Sequence, residues 1–224
     1  MVSCPRCGGP MRPPDLMHTE SRCDNCGPVP PLHVAEHIGP EIVVSTVSRL
    51  QAVPPATAVP LWALWPLPPG WTLTGVGWVG EERDTVRATV TALSGPAPVS
   101  GGPADLVLVA EEPGIGLGTR FAGLPGPDPG DLLAGVLAGA QPAGRGPHAK
   151  VRAGGHPTPL WSVGAEPDRS AYAGEARGLW LYVVAWPANA GYLLAEEITL
   201  HDLSEEVPAG LVYGAPSPYL HGKA

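Results

Sequence analysis

Four cysteines fall within the first 26 residues of this chain, Cys4, Cys7, Cys23 and Cys26, in the pattern C-x2-C-x15-C-x2-C. Two thiolates three residues apart reach one ion from a single tight turn. A second such turn completes a tetrahedron, and this spacing reads as a zinc site. Each pair is followed by a glycine, Gly8 and Gly27, which tolerates the positive φ that lets backbone turn around sulfur. Pro5 fixes φ inside the first turn. A divalent ion with four thiolates carries excess negative charge, and Arg6, Arg12 and Arg22 lie close enough in sequence to screen it. Tetrahedral sulfur also suits iron. Four thiolates close the coordination shell and leave no position for a reactive water, so the expected role of the Zn2+ is structural. The first ~28 residues are then expected to need the metal to fold. His18, His33 and His37 are expected as exposed or capping side chains rather than spare ligands.

The rest of the 224-residue chain limits what can be attached to that cage. Glycine and proline number 30 each, yet apolar residues still make up 44%, enough to offset the ordering entropy by burial. The longest apolar run, 178–186, falls well short of the roughly 18 residues of a membrane span. The start, Met1-Val2-Ser3-Cys4-Pro5, has no basic and apolar leader pattern. With neither a span nor a leader pattern a cytoplasmic protein is expected, in which disulfides are unlikely and the thiols are left for metal. A net charge of −8 with no Lys/Arg tract makes a poor duplex binder, because phosphate neutralisation drives that affinity.

The periodicities predict three parts: a ribbon over 1–28, a Pro-rich connector with one helix over 29–59, and a body over 60–224. Val43, Val47 and Leu50 fall at helical spacing within 41–51, with Pro54-Pro55 as the stop. Residues 71–79 and 85–93 read as a strand pair around 80–84. Val86, Ala88, Val90 and Ala92 alternate with Thr85, Arg87, Thr89 and Thr91, the mark of a half-buried antiparallel strand. The apolar run 105–110 reads as a more central strand. Asp128-Pro129-Gly130-Asp131 reads as a helix start, followed by Leu133, Val136, Leu137 and Ala140 as its stripe. Strands are expected at 149–153, 160–163, 179–186 and 192–200, and an irregular tail from Pro208. The class is α+β: a small N-terminal Cys4 zinc ribbon, then a mostly antiparallel sheet domain with few helices. Pro-Leu-Trp occurs at 60–62 and again at 159–161, and either a duplicated half-domain or chance accounts for it.

Outside the ribbon, the stretch 106–120 runs an apolar strand into a Gly-rich loop ending in an arginine. Gly114, Gly116, Gly118 and Arg120 form a candidate ligand loop, since backbone amides and a guanidinium can cradle phosphate. The spacing is not the dinucleotide fingerprint, no Walker lysine follows, and no helix pattern starts at its end. His156, between glycines and prolines, is a candidate base. Glu81-Glu82, Glu111-Glu112, Glu196-Glu197 and Glu205-Glu206 are expected as solvated surface, because adjacent strand residues face opposite sides and are not preset to share a proton. Seven tryptophans beside one phenylalanine either line a groove or fill the core.

Five segments, Ser3–Gly8, Trp65–Trp71, Val109–Gly114, Pro125–Gly130 and His156–Trp161, carry a resemblance over nearly the whole chain. It resembles an uncharacterised actinobacterial zinc-ribbon family, a domain of unknown function, and this resemblance implies kinship without chemistry. The expected function is a non-enzymatic module with a structural zinc that binds a protein partner or small ligand. Two alternatives stand beside it. One is an enzyme acting on a phosphorylated or acyl metabolite through 111–120 and His156. The other is a nucleic-acid adaptor working through Arg6, Arg12 and Arg22.

Overall fold

The computed structural model describes residues 2–52, 58–81, 85–140, 142, 146–164 and 166–220. In chain order its strands begin with β1 (Val2–Ser3), β2 (Met11–Arg12), β3 (Arg22–Cys23), β4 (Gly27–Pro28) and β5 (Leu32–Val34). Helix α1 (Pro40–Gln51) then leads to β6 (Trp62–Leu64), β7 (Thr72–Val79), β8 (Ala88–Pro96) and β9 (Pro103–Glu111). Helix α2 (Leu117–Ala122) and two 3-10 turns precede β10 (Ala149–Ala153), β11 (His156–Ser162), β12 (Ser170–Ala176), β13 (Leu179–Trp186) and β14 (Ile198–Asp202).

Eleven strands form one sheet, β1-β5-β7-β8-β9-β13-β12-β11-β10-β14-β6. Its pairs are antiparallel except β10 with β14. The apolar run at 105–110 sits at its middle: β9 pairs with β8 on one side and with β13 on the other, Val109 opposite Tyr182. Alternation along these strands feeds two cores. Leu106, Leu108, Leu181 and Val183 join Trp62, Leu64, Leu93 and Leu200 on one face. Val107, Val109, Tyr182 and Val184 join Phe121, Leu133, Trp161 and Trp186 on the other. The three remaining strands, β2-β3-β4, form the ribbon's own small sheet.

Several expectations are corrected. Thr89 and Thr91 are buried, not solvated. The chain around β6 lies over β8, and the two hydroxyls donate to the carbonyls of Pro60 and Trp62. Threonine therefore caps carbonyls there while filling core space. The helix expected after Asp128 is replaced by 3-10 turns at Asp131–Leu133 and Val136–Ala138. Gly135 and Gly139 interrupt it, each weakening a helix by about 1 kcal/mol, and Asp128 is engaged elsewhere. A 3-10 segment, Ala188–Ala195, occupies the first four residues of the strand expected at 192–200, and β14 begins at Ile198. A short helix, α2, does follow the Gly-rich loop; six residues are too few to show a period.

Helix α1 forms as expected, with Pro40 in its first turn and Val43, Val47 and Leu50 buried. The proline stop at 54–55 and the turn residues 82–84 lie outside the described residues. The two Pro-Leu-Trp copies take unlike places: Trp62 belongs to one core and Trp161 to the other. Five of the seven tryptophans are buried, and only Trp65 and Trp78 are partly open, so the tryptophans fill core rather than line a groove. No helix among the described residues is long and apolar enough to cross a membrane.

Candidate metal centre

The first cysteine pair follows β1 in a turn closed by Gly8 N–H to the Cys4 carbonyl at 2.8 Å and by Cys4 N–H to the Gly9 carbonyl at 2.8 Å. The second pair links β3 to β4. Gly8 and Gly27 both adopt φ +74°, the left-handed backbone that each turn requires. The four sulfurs lie within 4.8 Å of one another, and Cys7 Sγ is 3.5 Å from Cys23 Sγ. A tetrahedron with Zn–S near 2.3 Å has S···S distances of about 3.8 Å, whereas a disulfide requires about 2.05 Å. All four cysteines are free. Their spacing and chemistry fit one thiolate-bound metal ion, and Cys4, Cys7, Cys23 and Cys26 could hold it.

The cage is asymmetric. Cys4 is fully buried, and burial pushes its thiol up to about 12. Burial also raises Cys23, but the backbone N–H groups of Asn25 and Cys26 and the neighbouring thiols outweigh it and bring it down to about 7. A bound cation would strip all four protons. The nearby histidines are engaged elsewhere. His18 meets Asp15 at 3.3 Å, His33 stacks on Trp78 with ring centroids 3.9 Å apart, and His37 faces Glu41 at 3.8 Å.

The ribbon is stitched to the body. Strand β1 is the edge of the main sheet, Val2 opposite His33. The Glu81 carboxylate accepts from Ser21 N–H at 2.9 Å and from Ser21 Oγ at 3.1 Å. Arg6 donates to the carbonyls of Gly114 at 2.7 Å and Ile115 at 3.2 Å. Arg120 reaches back to the Cys4 carbonyl at 3.4 Å. Arg6, Cys26, Thr119 and Arg120 line a cleft of about 300 Å3 along this seam.

The Gly-rich loop is filled from within. Val107, Val109 and Glu111 share one face of β9, so Glu111 is carried into the core. Its Oε2 accepts N–H from Leu117 at 2.7 Å and Gly118 at 3.2 Å. Asp128 Oδ1 accepts Gly114 N–H at 2.9 Å and Trp180 Nε1–H at 3.1 Å. The amides that would cradle phosphate therefore hold the chain's own carboxylates. This corrects the expectation that Glu111-Glu112 is solvated: Glu112 pairs with Arg87 at 2.7 Å near the surface, while Glu111 is wholly buried. Burial, together with Asp128 nearby, pushes the Glu111 carboxyl up to about 8, against the pull of the Gly118 and Leu117 amides. Tyr182 Oη faces Glu111, and neither it nor Glu111 Oε1 forms a hydrogen bond of good geometry among the described residues.

A model of a family of unknown function (DUF6758) matches residues 1–220. The chain belongs to that family. No curated protein and no solved structure matches it.

In this family member, the structure brings together the four cysteines, Arg6, Gly114, Gly116 and Arg120. Gly118 packs against Tyr182, where any Cβ would enter the ring. His156 opens β11, exposed, three strands from β9 in the order β9-β13-β12-β11, and it does not line the Arg120 cleft. Of the ribbon arginines, Arg6 turns toward the body and Arg12 pairs with Asp24 at 2.8 Å. Sequence reading missed the burial of Glu111, although the Val107-Val109-Glu111 alternation carried that signal. It also missed Arg120 as a neighbour of the cage, for which no local pattern exists. A further cleft of about 550 Å3, lined by His148, Ser170, Tyr172, Asn189 and Tyr192, had no sequence signature.

Proposed function

We propose that this chain is a cytoplasmic, non-enzymatic binding module whose ribbon is held by one structural zinc. The convergence of four cysteine sulfurs within 4.8 Å carries this reading: four thiolates saturate zinc and leave no site for a reacting water. The ribbon then acts as a rigid mount for its tip. There Asp15 Oδ1 accepts N–H from Met17 at 2.8 Å and from His18 at 2.9 Å, an Asx turn that fixes the loop. Leu16 and Met17 stand fully in solvent on this turn, at 105% and 85% exposure. Apolar side chains on a stiff projection support a protein partner with an apolar socket.

An enzymatic role through 111–120 has less support, because Glu111 and Asp128 occupy the loop amides and His156 is remote. A nucleic-acid role has less support because Arg6 and Arg12 are committed within the protein. Elemental analysis of the purified chain tests the metal, with one zinc per chain expected. Affinity capture from the native host's lysate, using wild type beside a Leu16→Asp/Met17→Asp variant, tests the surface. Proteins retained by wild type and lost with the variant support the module. Identical eluates refute the tip as its contact.

A further inference from the structure

Arg120 and Arg6 are both cations with no carboxylate partner among the described residues. Among the described residues, neither forms an ion pair with Asp or Glu, and all their described hydrogen bonds go to backbone carbonyls. Half-buried guanidinium groups in this state are costly unless a negative charge faces them. Arg120 lies over the Phe121 ring, 5.3 Å from its centroid, and on the ribbon side it meets the first cysteine turn through the Cys4 carbonyl. Its guanidinium also lies against Gly8, where a Cβ would stand 2.7 Å from Nη2. The Arg6 side chain in turn lies against Gly116, where a Cβ would stand 3.0 Å from Cγ. Each partner thus offers a glycine to the other's arginine. Zinc with four thiolates has two negative charges in excess; the Arg120 guanidinium lies on the first cysteine turn, and Arg6 reaches from between Cys4 and Cys7 to the loop.

We infer that loop 112–122 is the outer shell of the metal centre, with Arg120 and Arg6 as its paired counter-cations, so that loading the cage and seating the ribbon on the body are one coupled event. This rests on the zinc reading above and extends it. Arg120 is a positioning residue: it touches no metal, and it holds the first cysteine turn by charge and by its bond to the Cys4 carbonyl. Without the ion, nothing joins the first cysteine turn to the second, and the turn that presents the Cys4 carbonyl and Gly8 to Arg120 and carries Arg6 to the Gly114 and Ile115 carbonyls is no longer held in place.

Three measurements on the full chain test this. Zinc affinity is measured by competition with a chromogenic chelator for wild type, Arg120→Met and Arg120→Lys. Outer-shell losses typically weaken metal binding about 10–100-fold. Arg120→Met should do so, and Arg120→Lys should recover most of the loss. Hydrogen exchange of wild type with and without zinc removes dependence on any variant's folding. Removing zinc should speed exchange at 112–122 as well as in the ribbon, and leave 151–158 on the far hairpin unchanged. Elemental analysis separates the two readings. If wild type binds no metal, the zinc reading and this inference both fail. If it binds one zinc, but Arg120→Met matches its affinity within about twofold or 112–122 ignores zinc removal, only the coupling fails.

Discussion

Glu111 is the most exacting test of the buried geometry. Its side chain is fully enclosed, accepts two amide N–H groups on Oε2 and leaves Oε1 toward Tyr182. Burial raises its carboxyl from 4.5 to about 8. Between those two values the folded chain therefore carries a proton that the unfolded chain has released. Stability must then fall as pH rises through this window, by about 1.4 kcal/mol per pH unit for one linked proton. From about pH 5.5 to about pH 7.5 the loss is about 2.7 kcal/mol, an upper bound because water penetration screens real sites. Glu111→Gln keeps an acceptor for Leu117 and Gly118 but has nothing to titrate. Urea unfolding of both proteins at the two pH values isolates this group, because every other titration, the cysteines included, is shared. The advantage of Glu111→Gln over wild type should grow by about 2 kcal/mol between them, about 1 M in midpoint. Parallel pH profiles would show that Glu111 is ionised in the native state and refute the argument.

Other perturbations follow from packing. Gly118→Ala drives a methyl into the Tyr182 ring and should cost about 1–3 kcal/mol, as overpacking does, read by thermal or urea unfolding. Asp202 is 3% exposed and accepts from Arg177 at 2.9 Å and from Leu61 N–H at 3.0 Å; Asp202→Ala should cost about 1–3 kcal/mol in urea unfolding by leaving the buried Leu61 N–H without an acceptor, since Arg177 is exposed and keeps Glu205. Cys7→Ser should abolish metal binding by the four-cysteine cluster, read by elemental analysis, while the far-UV circular dichroism of the body persists, since Cys4, Cys23 and Val29 form a small cluster apart from the two main cores. Global unfolding of that variant would show that ribbon and body form one cooperative unit.

What the sequence reveals is what spacing encodes. The cysteine pairs, the 3.6-period of Val43, Val47 and Leu50, and the apolar runs at 105–110 and 179–186 each lie within one element. The errors come from distant contacts. Arg120 meets Cys4 across 116 positions, and Arg6 meets Gly114 across 108. Thr89 and Thr91 look solvent-facing because the carbonyls they cap belong to a segment 29 residues upstream. Gly114, Gly116 and Gly118 suggest a phosphate cradle because Glu111, which fills it, arrives from the preceding strand with no mark of burial beyond its parity with Val107 and Val109.

Strand β1 is only two residues long, yet among the described residues it is all that pairs with the outer side of β5. Were the amino-terminal segment to swing away on metal loss, a line of bare amide and carbonyl groups would open at that border. Another molecule in the same state could add its own border there. Loss of a metal from the four-cysteine cluster would then show itself first as clumping, which the two-residue shield otherwise holds off.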